Sequence, residues 1–118
     1  MNYNWGALSR AKTPESGALE ARPGLCAVMR ADALPECGDD VAELLQALAE
    51  EIRLDEPGCV SYAITRALGS ETHFAVHARF SDWRAFQRHG VTRHMKRAMP
   101  ALKACLASAV SLEIFLEI

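Results

Sequence analysis

The chain has 118 residues, 50% of them hydrophobic and 24% charged, with a net charge of −2. That length supports one hydrophobic core and is too short for two, and the composition is that of a globular domain rather than a disordered chain. No apolar run could cross a bilayer and the first residues lack the apolar stretch of a secretory signal, so no membrane association and a cytoplasmic location are expected.

Residues 1–24 contain Gly, Pro, Ser and Thr with no sustained apolar period, and read as an arm preceding a domain over 25–118. Its Tyr3, Trp5 and Leu8 are apolar enough to dock on a surface, such as that of a second subunit. LCAVMRA, from Leu25, suits a first strand. After a loop with Pro35 and Gly38, Asp39 or Asp40 can cap a helix whose stripe is Val41, Leu44, Leu45, Leu48 and Ile52. Pro57 disfavours helix at Glu56, and Gly58 permits the turn that follows.

CVSYAITR then alternates, with Val60, Tyr62, Ile64 and Arg66 opposite Cys59, Ser61, Ala63 and Thr65. HFAVHARF does the same, with Phe74, Val76, Ala78 and Phe80 opposite His73, Ala75, His77 and Arg79. The short connection between them predicts an antiparallel hairpin. Ser81 or Asp82 caps a helix with Trp83, Ala85 and Phe86 that Gly90 interrupts. Thr92 begins a third helix carrying Val91, Met95, Ala98, Met99, Leu102, Cys105 and Leu106 on its apolar side, and Pro100 predicts a kink or restart. AVSLEIFLEI closes the chain as a strand, with Val110, Leu112, Ile114, Leu116 and Ile118 on one face.

This β-α-β-β-α-β order, with the second helical unit broken in two, predicts a ferredoxin-like α+β sandwich built on an antiparallel sheet. The sheet face away from the helices would be bare, with apolar area from Phe115, Cys59, Ala63 and Ala75, which favours a homodimer.

Charge and cysteines add exclusions. Residues 1–60 carry five basic and eleven acidic side chains, and residues 61–118 carry eight basic and four acidic. Opposite charges on adjacent helices account for this without a ligand. AFQRHGVTRHMKR superficially resembles a helix-turn-helix, but strands flank it and the chain is net acidic, so no nucleic-acid partner is expected. Cys26, Cys37, Cys59 and Cys105 are scattered, with no C-x-x-C pair or zinc-ligand spacing, and read as inert thiols or small hydrophobes.

The runs EPGCVSYAITR and HFAVHARFSDWRAFQRHGVTRHM resemble the antibiotic biosynthesis monooxygenase (ABM) family over roughly residues 25–118. The family pattern has E-P-G-C-x-x-Y after the first helix, an apolar strand, an acidic residue before A-F-x-x-H, and a second His near the next helix start. The resemblance implies a dimeric α+β barrel with a pocket in each subunit between sheet and helices. It also implies, for several members, oxidation of phenolic or quinol-like substrates by O₂ with no flavin, haem or metal; other relatives degrade haem or act as isomerases. Ala78 and Phe80 stand where the family often carries Glu and Trp, which puts chemistry relying on those groups in doubt. Haem degradation is not expected, because His89 occupies the Trp position of haem-degrading relatives and neither their Asn nor their His stands near Met29 or Met99.

The candidate catalytic residues are His89, Tyr62 and His94. His89 shares the inward face of Phe86 and Ala85 and could take a phenolic proton; satisfying the last carbonyls of its helix is the structural alternative. Tyr62 and His94 could hold substrate oxygens, or could simply be core residues with satisfied hydrogen bonds. Phe74, Phe80, Phe86 and Met95 would wall a pocket. No metal is assigned: His73 and His77 lie about 13 Å apart along a strand, and no carboxylate is close in sequence to His89 and His94. The expected function is cofactor-independent monooxygenation of a small electron-rich aromatic. The alternative is a non-oxidative binding or isomerase-type member of the same fold.

Overall fold

A computed structural model describes residues 24–118, so the expected arm, Gly24 apart, lies outside the described residues. The elements are β1 (Leu25–Asp32), α1 (Gly38–Asp55), β2 (Cys59–Arg66), β3 (His73–Phe80), α2 (Trp83–His89), α3 (Arg93–Cys105) and β4 (Ser111–Leu116). The four strands form one antiparallel sheet in the order β2-β3-β1-β4. The expected ferredoxin-like architecture is therefore present, with β1 and β3 in the middle and the helices over one face.

Alternation decides which face that is. Phe74, Val76, Ala78 and Phe80 of β3 are buried, as are Leu25, Ala27 and Ala31 of β1. They meet Val41, Leu45, Leu48 and Ile52 of α1, Ala85 and Phe86 of α2, and Met95 and Leu102 of α3 in the core. Each large side chain buried there contributes about 1.5–3 kcal/mol. At the centre, small Ala27 and Ala78 are direct partners across β1 and β3, and Tyr62 of β2 pairs with Ala78. Two adjacent alanines under the helices leave a hollow in the core.

Strand β2 departs from the simple alternation. The register slips between Cys59 and Ser61, as at a β-bulge, where one extra residue reverses the facing of what precedes it. Cys59 therefore packs into the core beside Tyr62, while Val60 is 57% exposed. This corrects the expected inward Val60 and removes Cys59 from the uncovered face. That face keeps Ala63, Ala75 and Phe115, the last 51% exposed, among the ion pairs Arg30–Glu113, Asp32–His73 and Arg79–Glu117.

The helix starts differ in mechanism. Asp82 accepts from the Ala85 N–H at 2.8 Å and caps α2, and Thr92 accepts from the Met95 N–H at 3.3 Å and caps α3. For α1 neither Asp39 nor Asp40 is the cap: the helix begins at Gly38 after Cys37, whose side chain makes no capping bond. Gly38 lies so close to β3's approach that an added Cβ would stand 2.3 Å from the Glu71 carbonyl oxygen, so a larger residue would force a shift at the helix start. Helix α3 runs unbroken through Pro100, so of the expected kink or restart the restart is excluded. Pro100 is exposed, so water can take the place of the N–H that it cannot give to the helix.

Gly58 matters through proximity. An added Cβ there would lie 2.5 Å from that of Ala85, so only glycine lets the α1–β2 turn sit against α2. The Ser81 N–H donates to the Gly58 carbonyl at 2.8 Å and holds the two turns together. This approach carries Glu56, two residues earlier, to the end of α2.

Candidate active site

The hollow above Ala27 and Ala78 is a cavity of about 30 Å³, room for roughly two waters. Met29, Phe80, Phe86, Met95 and Met99 wall it, and Tyr62 and His89 also line it. His89 ends α2 and is 4% exposed. The ring centroids of Phe80 and Tyr62 lie 5.2 and 6.0 Å from its own, so aromatic packing fixes the imidazole.

Behind the cavity wall His89 Nδ1 donates to both carboxylate oxygens of Glu56, at 3.0 and 3.1 Å. His94 Nε2 donates to Glu56 Oε2. The three side chains are only 5%, 9% and 6% exposed in the order His89, Glu56, His94. An ionised carboxylate only accepts, so each facing nitrogen carries a hydrogen. Neutral His89 then keeps its lone pair on Nε2, and its tautomer is set by Glu56. Burial pushes the Glu56 carboxyl up, but hydrogen bonding and charge from His89, then from His94, more than offset this and hold it below the ordinary value. Desolvation, with Cys59 and Glu56 adding to it, drives the Tyr62 hydroxyl above the usual phenol range, so it stays a neutral O–H. Desolvation also pushes the Cys59 thiol up to about 11, which leaves it a poor nucleophile.

A positioned imidazole on an apolar cavity, backed by a buried carboxylate, can accept a proton and have the resulting cation stabilised in place. The sequence profile described as "Antibiotic biosynthesis monooxygenase" matches residues 24–101. The chain belongs to that family. Among solved structures, a candidate antibiotic biosynthesis monooxygenase from Caulobacter crescentus CB15 is similar at 24% identity and a TM-score of 0.78, covering 82% of this chain and 92% of that one. Another from Nitrosomonas europaea is 14% identical with a TM-score of 0.76, covering 82% and 92%. A conserved protein from Methanosarcina mazei Go1 is 22% identical with a TM-score of 0.73, covering 83% and 96%. At these identities the likeness shows a shared fold. No curated protein matches the chain.

Within this ABM chain the residues singled out from sequence divide into three groups. His89, Tyr62, Phe80, Phe86 and Met95 line one cavity. His94 is not part of the lining; it bonds Glu56, which in turn bonds His89. Phe74 lies outside the lining as well: it packs with Val41 and Leu45, and the Arg66 guanidinium sits 4.9 Å over its ring. His73 and His77 face away from the helices, and His73 Nδ1 pairs with Asp32 at 2.6 Å. Arg97 pairs with Glu51 across α3 and α1, so that part of the basic surface complements the acidic helix.

Glu56 is the residue that sequence reasoning missed, having been read only as the helix end before Pro57. Its signal was its place as the first residue of the EPGC run. It also removes the stated objection to a metal on His89 and His94, because Glu56 supplies the carboxylate from outside their helices. One ligand atom from each of Glu56, His89 and His94 lies within 4.8 Å of the others, a donor set that could hold a metal ion.

Proposed function

We propose that this ABM protein is a cofactor-independent monooxygenase acting on an electron-rich phenol or hydroquinone-type small molecule with O₂. The observation that carries the reading is His89: it lines the apolar cavity while its Nδ1 is held by buried Glu56. In this role His89 takes a phenolic proton, and Glu56 stabilises the imidazolium that forms. Tyr62, kept neutral, donates to a substrate oxygen, and His94 steadies Glu56 from the other side. The substrate anion passes one electron to O₂, the two radicals combine at a ring carbon, and the His89 imidazolium returns its proton to give a hydroperoxide. Loss of water leaves a quinone, with one oxygen atom in the product and the other in water. The substrate supplies all the electrons, and the protein contributes desolvation, positioning and proton removal.

An aromatic ring needs more room than 30 Å³. Met29, Met95 and Met99 are the walls that can yield, since unbranched thioether chains change rotamer at low cost. We assign the domain to residues 25–118 with 1–24 as its arm, and the uncovered sheet face with Ala63, Ala75 and Phe115 to a second copy. Light scattering should then give a dimer.

The test is O₂ consumption by purified protein, without added cofactor, over a hydroquinone panel. His89→Ala should slow turnover by about 10²-fold; unchanged turnover would remove His89 from the mechanism. A second reading, non-oxidative binding or isomerisation, is favoured by one observation: Ala78, in the cavity lining, offers no carboxylate where the family often has Glu. Substrate conversion under strict anaerobiosis would select it.

A further inference from the structure

A second cluster of ligating side chains lies apart from the cavity lining. Cys37 precedes α1, Asp40 is in its first turn, and Cys105 is the last residue of α3. Two sulfurs and a carboxylate oxygen, one atom from each residue, all lie within 4.8 Å of one another. The backbone enforces this meeting of distant positions. The Leu34 N–H donates to the Cys105 carbonyl at 2.8 Å, the Cys37 N–H donates to the Leu34 carbonyl at 2.9 Å, and Ala33 bridges Leu106. Both cysteines are partly exposed, so the cluster is reachable from solvent.

Glu36 and Asp40 place carboxylate charge beside Cys37. This field favours a divalent cation that displaces protons from both sulfurs. The α1 N-terminus opposes a cation with roughly half an elementary charge, against three formal negative charges from two thiolates and Asp40. The ligands prevail.

We infer that Cys37, Asp40 and Cys105 form a binding site for one thiophilic divalent cation of the zinc class. Two sulfur donors and one oxygen suit a tetrahedral ion, with water from the exposed side as the fourth ligand. Metal–sulfur bonds of about 2.3 Å need only a small closing of the three side chains. The ion would tie the start of α1 to the end of α3. The site is independent of the chemistry at Glu56, His89 and His94, which contains no sulfur.

The test is Co²⁺ titration of the full-length, metal-stripped protein under a phosphine reductant. A near-ultraviolet sulfur-to-cobalt absorption band should saturate at one Co²⁺ per chain and be bleached by Zn²⁺. It should be lost in Cys37→Ser and Cys105→Ser and persist in His89→Ala. Zn²⁺ should raise the melting temperature of the wild type and leave that of Cys37→Ser unchanged. Absence of the band in the wild type, or its survival in Cys37→Ser, overturns the site. Should the serine variants fail to fold, Asp40→Asn at its exposed position decides: Co²⁺ affinity several-fold weaker supports the site, and unchanged affinity overturns it.

Discussion

Replacing Glu56 by Gln changes the buried cluster with almost no change in shape. Both imidazoles donate to this carboxylate, His89 through Nδ1 and His94 through Nε2. An amide has one accepting oxygen, and its NH₂ group would face the other imidazole N–H donor to donor. One ring must turn away or change tautomer. Hydrogen bonds to a charged group contribute about 1.5–3 kcal/mol each, and an unsatisfied buried donor adds a desolvation penalty of about 1–3 kcal/mol. Gln keeps one bond of the two, so the expected loss at pH 7 is about 2.5–6 kcal/mol. Solvent cannot replace the lost partner, because none of the three side chains is more than 9% exposed.

The assay is urea unfolding of both proteins across a pH series. Glu56 is held below its ordinary value of 4.5 in the folded chain. As pH falls, the unfolded chain therefore takes up this proton first. The carboxylate's stabilising contribution is full above 4.5 and is lost as pH drops through the lower folded value. The gap between wild type and Glu56→Gln should close as pH falls below about 4.5. A gap under about 0.5 kcal/mol at pH 7, or one that fails to shrink below about pH 4.5, refutes the assignment of Glu56 as a charged acceptor for both histidines.

Gly38→Ala should destabilise the fold by about 1–3 kcal/mol, although alanine is the better helix former, because its Cβ would meet the Glu71 carbonyl oxygen at 2.3 Å. Thermal melts check this, and a stabilised variant would show that the segment at Glu71 yields. Met95→Ala, at a position only 5% exposed on the cavity wall, should cost about 2–5 kcal/mol. It should also open an apolar space that takes benzene, seen as a rise in melting temperature with the ligand. No such rise would show that the walls collapse into the gap.

Local pattern in the sequence was enough for the architecture. The alternation of HFAVHARF assigned Phe74, Val76, Ala78 and Phe80 to the covered face, and the stripe from Val41 to Ile52 placed α1 over it. The order of the elements then left few topologies. His89 and Tyr62 were legible because each lies on the inward face of its own element and within the EPGC-x-x-Y and A-F-x-x-H runs. Periodicity reports a direction within one element; it carries no information on which side chains from different elements stand at the same level. The slip at Val60, which turns Cys59 inward, comes from pairing with β3. The placement of Phe74 beyond the cavity comes from its position along β3 relative to Ala27 and Ala78. The meetings of Glu56 with His89 and His94, and of Cys37 with Cys105, depend on how closely turns approach across the fold. Gly58 against Ala85 enables the first, and the Leu34–Cys105 backbone bond enforces the second. Such contacts join residues far apart in the chain, and only the folded backbone determines their distances.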